Sequence, residues 1–191
     1  MEPYPTMKPA GGDLPTSSNQ PLWQVLTQKA PDLSGKRVLA IHSGDGAFCR
    51  GAINAGAIAV LGVDRDRYAI SAARDVASSD RLRYRIMPDR RFDLLTGPYD
   101  LVIGPFAYPA EDLRRGTHQL AKLLRPSGEM VLAVTGAADA SQVKANLSSL
   151  IAVSECFAPS QQPAGTKLFV VVAHRAKITP PAPKRRRNRG Q

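Results

Sequence analysis

The sequence predicts a three-layer α/β fold: a doubly wound, mostly parallel sheet of seven strands, with helices on both faces and an antiparallel last strand. Three observations carry that prediction. Short apolar runs alternate with helically spaced stripes along the chain, the pattern of strand–helix–strand units. The glycine turn Gly44-Asp45-Gly46 separates an apolar run from a helical stretch, and an acid, Asp64, closes the next apolar run. The last two apolar runs are joined by a segment too short for a helical crossover, which makes them antiparallel neighbours.

The elements follow in order. Residues 1–21 hold prolines, glycines and serines with little apolar content, and form a flexible segment ahead of the domain. Leu22 to Leu26 forms a short amphipathic helix with Trp23 and Leu26 on one face; Trp23 either covers the core or serves as a lid over the substrate side. Val38 to Ile41 alternates poorly and suits a strand buried on both faces. Glycine at 44 and 46 permits positive φ and close approach of a ligand to the backbone. The helix from Ala47 points its N-terminal N–H groups back at that turn, and Gly56 ends it. Ile58 to Val63 is the second strand. Arg65 to Ala77 is a helix whose Ala69, Ala72, Ala73 and Val76 face the sheet. Arg81 to Ile86 and Tyr99 to Ile103 are strands, and Pro109-Ala-Glu-Asp112 opens a helix with Leu113, Leu120, Ala121 and Leu124 inward. Arg125-Pro-Ser-Gly128 stops it. Glu129 to Val134 is a strand, Ser141 to Leu150 a helix, and Ile151 to Phe157 and Lys167 to Ala173 the closing strands.

With 191 residues, 43% of them hydrophobic, the chain is long enough for one domain with its own core. No apolar run is long enough to span a bilayer, and the start Met1-Glu-Pro-Tyr-Pro lacks a signal-type apolar stretch; we expect a cytoplasmic protein without membrane association. Cys49 and Cys156 make no disulfide framework, and each is expected to be buried and structural. The net charge is +10, and the stretch from Arg175 to Gln191 carries seven of those charges without one acid. Residues 176–191 form a basic tail that cannot build a core. It serves either as an arm contacting RNA or another polyanion, or as a solubilising tail.

Four segments, taken together, resemble the class I S-adenosylmethionine-dependent methyltransferases over residues 22–175: Val38-Leu-Ala-Ile-His-Ser-Gly-Asp-Gly-Ala-Phe48, Val60-Leu-Gly-Val-Asp64, Phe92 to Ile103, and Leu123-Leu-Arg-Pro-Ser-Gly-Glu-Met-Val-Leu132. The resemblance implies the Rossmann-like methyltransferase fold and S-adenosylmethionine as cofactor. It places Gly44 and Gly46 beneath the methionine portion and Asp64 on the ribose hydroxyls, and counts Asp45 and Arg65 among the cofactor-binding residues. It puts Asp89 at the adenine amine and Gly104 at the methyl group. Ala40 stands where the family's first strand has an acid, and His42 where its first glycine lies. Losing a charged hydrogen bond there costs about 1–3 kcal/mol of binding, roughly tenfold to a hundredfold in affinity.

Methyl transfer demands positioning more than a fixed catalytic triad, and a base only where the acceptor loses a proton. The candidates for that role are His42 on the turn and Tyr108 after the fourth strand; each is otherwise a packing residue. His118 is expected to be structural and His174 a surface residue. No cluster has metal-ligand spacing. Gly104-Pro-Phe-Ala lacks the side-chain acceptor and second proline of enzymes that modify exocyclic or amide nitrogens, and the tetrad of ribose 2′-O enzymes has no counterpart. A nicotinamide oxidoreductase is disfavoured because the G-x-G-x-x-G spacing is absent. The leading expectation is a methyltransferase with a small-molecule acceptor. The alternative is a catalytically weakened, methyltransferase-like scaffold whose basic tail contacts RNA or another polyanion.

Overall fold

The structure, a computed structural model, describes residues 20–88, 91–107, 109–160 and 167–176. The segments expected as flexible leader and basic tail lie almost wholly outside the described residues. In chain order the elements are α1 (Gln20–Lys29), β1 (Arg37–Ile41), α2 (Ala47–Asn54), β2 (Ala59–Asp64), α3 (Arg67–Val76), β3 (Leu82–Ile86), a 3₁₀ turn (Phe92–Leu94), β4 (Tyr99–Ala107), α4 (Ala110–Leu123), β5 (Leu124–Thr135), α5 (Ala140–Ala145), β6 (Ile151–Phe157) and β7 (Leu168–Arg175).

The seven strands run in the order β3-β2-β1-β4-β5-β7-β6. The β3–β2–β1–β4–β5 pairs are parallel, and β7 lies antiparallel between β5 and β6. The strand order reverses between β1 and β4, the switch point at which open α/β sheets bind ligands beyond their carboxyl ends. Alternate residues of the central strands feed two cores. Leu39, Ile41, Val102 and Leu132 pack under α4; Val38, Ala40, Leu101, Ile103 and Val131 pack under α1, α2 and α3. That two-sided burial is why the central strands lack clean alternation.

The structure departs from expectation in several elements; β5 already starts at Leu124, expected in the preceding helix, and runs through Arg125-Pro-Ser-Gly128. In α3 the inward face is Ile70 and Ala73, while Val76 is 65% exposed. The Asp66 carboxylate accepts from Tyr68 and Ala69 N–H and caps the helix, which starts it two residues later than expected. Ile86 ends the edge strand β3 and is 47% exposed, away from its buried neighbours Leu82 and Tyr84. The helix expected over Ser141 to Leu150 stops at Ala145, because Ser148 N–H is taken by Thr117 Oγ1 at 3.0 Å, which ties the chain to α4 before it enters β6. Finally, β4 runs on to Ala107, paired with β5 as far as Ala107–Thr135, whereas its pairing with β1 ends at Ala40–Ile103. This overhang stands above the switch point. Cys49 is buried, and Cys156 is only half-buried on β6.

Candidate cofactor and acceptor cleft

The site begins where β1 stops. Three residues of the turn adopt left-handed backbone: His42 at φ 50°, Gly44 at 55° and Gly46 at 76°. For glycine this is free; for His42 it costs about 1–2 kcal/mol. Backbone bonds hold the turn against β2. Ser43 N–H donates to Val63 O at 3.0 Å and Gly46 N–H to Ser43 O at 3.0 Å. Asp64, at the end of β2 and buried, completes it. Its Oδ2 accepts from Gly44 N–H and its Oδ1 from Asp66 N–H, each at 2.9 Å. One carboxylate therefore joins the glycine turn to the loop after β2. Each of its oxygens keeps a further lone pair for an incoming hydroxyl.

Beneath the turn lies Tyr84 of β3. A Cβ added at Gly46 or Gly62 would come within 2.6 Å or 2.7 Å of its ring carbons, so both positions require glycine. Burial pushes its phenol well above the usual range. Tyr84 OH is thus a neutral donor, 3.4 Å from Gly46 O. The Cys49 thiol behind the turn is pushed up to about 12 by burial, with Arg50 opposing the shift and Asp45 adding to it. It is a packing group rather than a nucleophile. Ala40 is fully buried among Val38, Cys49, Ala52 and Tyr84.

The half-buried His42 ring stands edge-on to Phe92 at 6.3 Å and to Phe106 at 6.4 Å. Its carbonyl accepts from Trp23 Nε1 at 3.3 Å, and Trp23 stacks on Phe48 at 4.8 Å. Trp23 is thus a core cover that also braces the turn, and its neighbour Leu22 reaches the cleft.

The cleft measures about 670 Å³. On one side stand His42, Gly44, Asp64, Arg65 and Asp66. On the other stand Pro105, Phe106 and Ala107 of the β4 overhang with Asp112, Arg115 and Gln119 of α4. The structure therefore brings His42, Gly44, Asp64 and Arg65 together. Asp45 and Gly46 lie behind the lining, where Asp45 accepts from Ala47 N–H and Arg50. Gly104 does not line the cleft either. It is buried in β4, where a Cβ would collide with the Ile41 carbonyl oxygen; its role is steric. Asp89 and Tyr108 lie outside the described residues. Phe106, Asp112, Arg115 and Gln119 were missed. For the three on α4 the signal was polar spacing: 112, 115 and 119 share a helical face with Gly116. A Cβ at Gly116 would come within 2.7 Å of the Phe106 ring, so that glycine lets α4 close onto the overhang. His118 is exposed on α4 with Nδ1 3.4 Å from Ser148 Oγ, and His174 is exposed on β7. Among the described residues no His, Cys, Asp or Glu trio is placed to hold a metal, and no helix is long and apolar enough to cross a membrane.

No family model matches the chain. Over 108 residues it is 34% identical to the ribosomal protein L11 methyltransferase of Deinococcus radiodurans; the match covers 53% of this chain and 39% of that protein. Three solved structures are similar in fold. A S-adenosylmethionine-dependent methyltransferase from Mesorhizobium loti has a TM-score of 0.65 at 18% identity, covering 80% of this chain and 97% of that one. Ribosomal protein L11 methylase from Lactobacillus delbrueckii subsp. bulgaricus has 0.61 at 16%, covering 84% and 80%. Magnesium protoporphyrin IX methyltransferase from Synechocystis PCC 6803, solved with bound S-adenosylmethionine, has 0.61 at 18%, covering 83% and 80%. By this likeness, and with its seven-stranded sheet and antiparallel β7, the chain has the fold of the class I S-adenosylmethionine-dependent methyltransferases.

Proposed function

We propose that this chain is a S-adenosylmethionine-dependent methyltransferase. The observation that carries the reading is the Asp64 carboxylate, bonded to the Gly44 and Asp66 amides at the switch point and lining a cleft between turn and overhang. The donor set fits the cofactor at its nucleoside end: Asp64 has lone pairs for ribose hydroxyls, and Gly44 exposes backbone without a side chain. At the amino-acid end the fit differs from the family pattern, since Ala40 supplies no carboxylate. When bound, the cofactor supplies a methyl group on a sulfonium. The chain supplies place and surroundings: Asp64, Gly44 and the His42 ring form one side, while Pro105 and Phe106 line the other. His42 lines the cleft, and in this reading its imidazole takes up a proton leaving the acceptor. The likeness to an L11 methyltransferase supports a macromolecular acceptor, though this chain spans 39% of that relative's length.

A second reading, a methyltransferase-like binding protein, is favoured by one observation, the fully buried Ala40 in place of the acid. Calorimetric titration with S-adenosylmethionine and S-adenosylhomocysteine separates the two. Micromolar-range binding is expected, weakened about a hundredfold by Asp64→Ala; no detectable heat at millimolar ligand would sink the enzyme reading.

A further inference from the structure

The peptide unit between His42 and Ser43 is held at both ends. Its N–H donates to Val63 O of β2 at 3.0 Å. Its C=O accepts from Trp23 Nε1 of α1 at 3.3 Å. The next amide, Gly44 N–H, ends on Asp64 Oδ2 at 2.9 Å. The bond from α1 depends on one side chain, the chain's only tryptophan. The indole is itself fixed. It stacks on Phe48 of α2 at 4.8 Å with 23° between the rings, and α1 packs against β4, β5 and β7. Trp23 does not line the cleft, although Leu22 beside it does. The bond falls where the turn most needs one. Among the described residues His42 is the one non-glycine residue with positive φ, at 50°. Glycine holds that conformation without cost, whereas an L side chain is strained there and stays only while its surroundings retain it. Rotation of His42 out of the left-handed region would swing its carbonyl, and with it the Ser43 and Gly44 amides.

We propose that Trp23 is the positioning residue of the cofactor turn: its indole N–H holds His42 in the left-handed state, and cofactor affinity depends on Trp23 through position 42. The proposal rests on the methyltransferase reading of the cleft. It concerns two states of the turn. In the braced state Gly44 N–H meets Asp64 Oδ2, and the carboxylate is set with lone pairs free for hydroxyls. In the relaxed state His42 has left the left-handed region and that contact is broken. A cofactor that binds the braced state alone has its apparent dissociation constant divided by the braced fraction. Loss of one neutral hydrogen bond of ordinary strength shifts the balance between the states about fivefold. With glycine at 42 the braced state needs no partner, so the same loss has little to act on. An indole that merely covered the core would act on stability and be indifferent to residue 42.

The test is a double-mutant cycle on the full chain, read as S-adenosylhomocysteine affinity by calorimetry. The variants are Trp23→Phe, His42→Gly and the two together, with thermal melting to verify the fold. Phenylalanine keeps a ring on Phe48 and removes the donor. Because the chain has a single tryptophan, a second replacement is open: exchange of tryptophan throughout for its benzothiophene isostere, which sets sulfur in place of the N–H and keeps the shape. Either replacement should weaken S-adenosylhomocysteine binding about fivefold where residue 42 is histidine, and by less than about twofold where it is glycine. Should Trp23→Phe fail to fold, the isostere decides alone. Unchanged affinity without the donor overturns the proposal. So does an equal loss with histidine and with glycine at 42, since Trp23 would then act as packing. Failure of the parent chain to bind S-adenosylhomocysteine overturns the methyltransferase reading itself; binding without the dependence on residue 42 overturns only the role of Trp23.

Discussion

The two walls of the cleft are held by different means. The turn wall is positioned by main chain. Gly44 and Asp66 N–H end on the Asp64 carboxylate, Met87 N–H ends on the Asp64 carbonyl at 2.7 Å, and Ser43 N–H ends on Val63. The α4 wall is positioned by two close approaches, Gly104 on Ile41 and Gly116 on Phe106, and presents side chains. A wall made of backbone bonds tolerates Ala40, since its methyl makes none of the bonds that shape it. A wall made of side chains keeps its shape only while its small residues stay small, and it is where acceptor preference can change without refolding.

That contrast can be broken from either side. The largest effect is expected at Gly104. Gly104→Ala drives a methyl into the Ile41 carbonyl at the centre of the sheet, where backbone cannot yield, and should cost about 3 kcal/mol in urea unfolding. Gly116→Ala meets the Phe106 ring, which can turn, and should cost about 2 kcal/mol; S-adenosylhomocysteine affinity should hold within about twofold while acceptor turnover falls. A turnover loss matched by lost cofactor affinity would mean that the walls are not separate.

Alkali probes the packing behind the turn. The Cys49 thiol is raised from 9.0 to about 12 in the folded chain by burial. Its protonated form is the one that folding favours. The stability it lends is therefore complete below pH 9 and disappears as pH climbs towards 12, with Tyr84 shifting in the same sense. Between pH 8 and 10 the loss should be about 1 kcal/mol, and Cys49→Ala should flatten that part of the profile. The smallest effect concerns His42. Because position 42 is left-handed, His42→Gly should be more stable than His42→Ala by about 1 kcal/mol. Equal stabilities would show that the turn relaxes once the imidazole is gone. Turnover in the glycine variant then reports whether the ring takes part in chemistry beyond its edge contacts with Phe92 and Phe106.

Much of this architecture was legible in the sequence, because its signals are local. Gly44 and Gly46 announce a turn, Asp64 closes an apolar run, and the loop between β6 and β7 is too short for anything but an antiparallel pair. The candidate site was legible on the turn side for the same reason: His42, Gly44, Asp64 and Arg65 lie within one strand–turn–helix–strand unit. The errors fall where a distant partner decides. Periodicity placed Val76 inward on α3, but packing against β2 and β3 turns Ile70 and Ala73 inward and leaves Val76 in solvent. The helix after β5 was expected to reach Leu150; a hydroxyl on α4, Thr117, ends it sooner by taking the Ser148 amide. Gly104, placed at the methyl group by the resemblance, carries a constraint that no local signal shows: a Cβ there would meet the Ile41 carbonyl, 63 positions earlier in the chain.

The sequence by itself determined the order of elements, the glycine turn and the acid that anchors it, since each depends on residues a few positions apart. The tertiary structure alone decided how far β4 outruns β1, which face of α4 looks into the cleft, and that Tyr84 fills the space beneath Gly46 and Gly62. Those outcomes depend on register and close packing between segments far apart in the chain, and packing at interior density is set by the whole neighbourhood of a residue rather than by its place in the sequence.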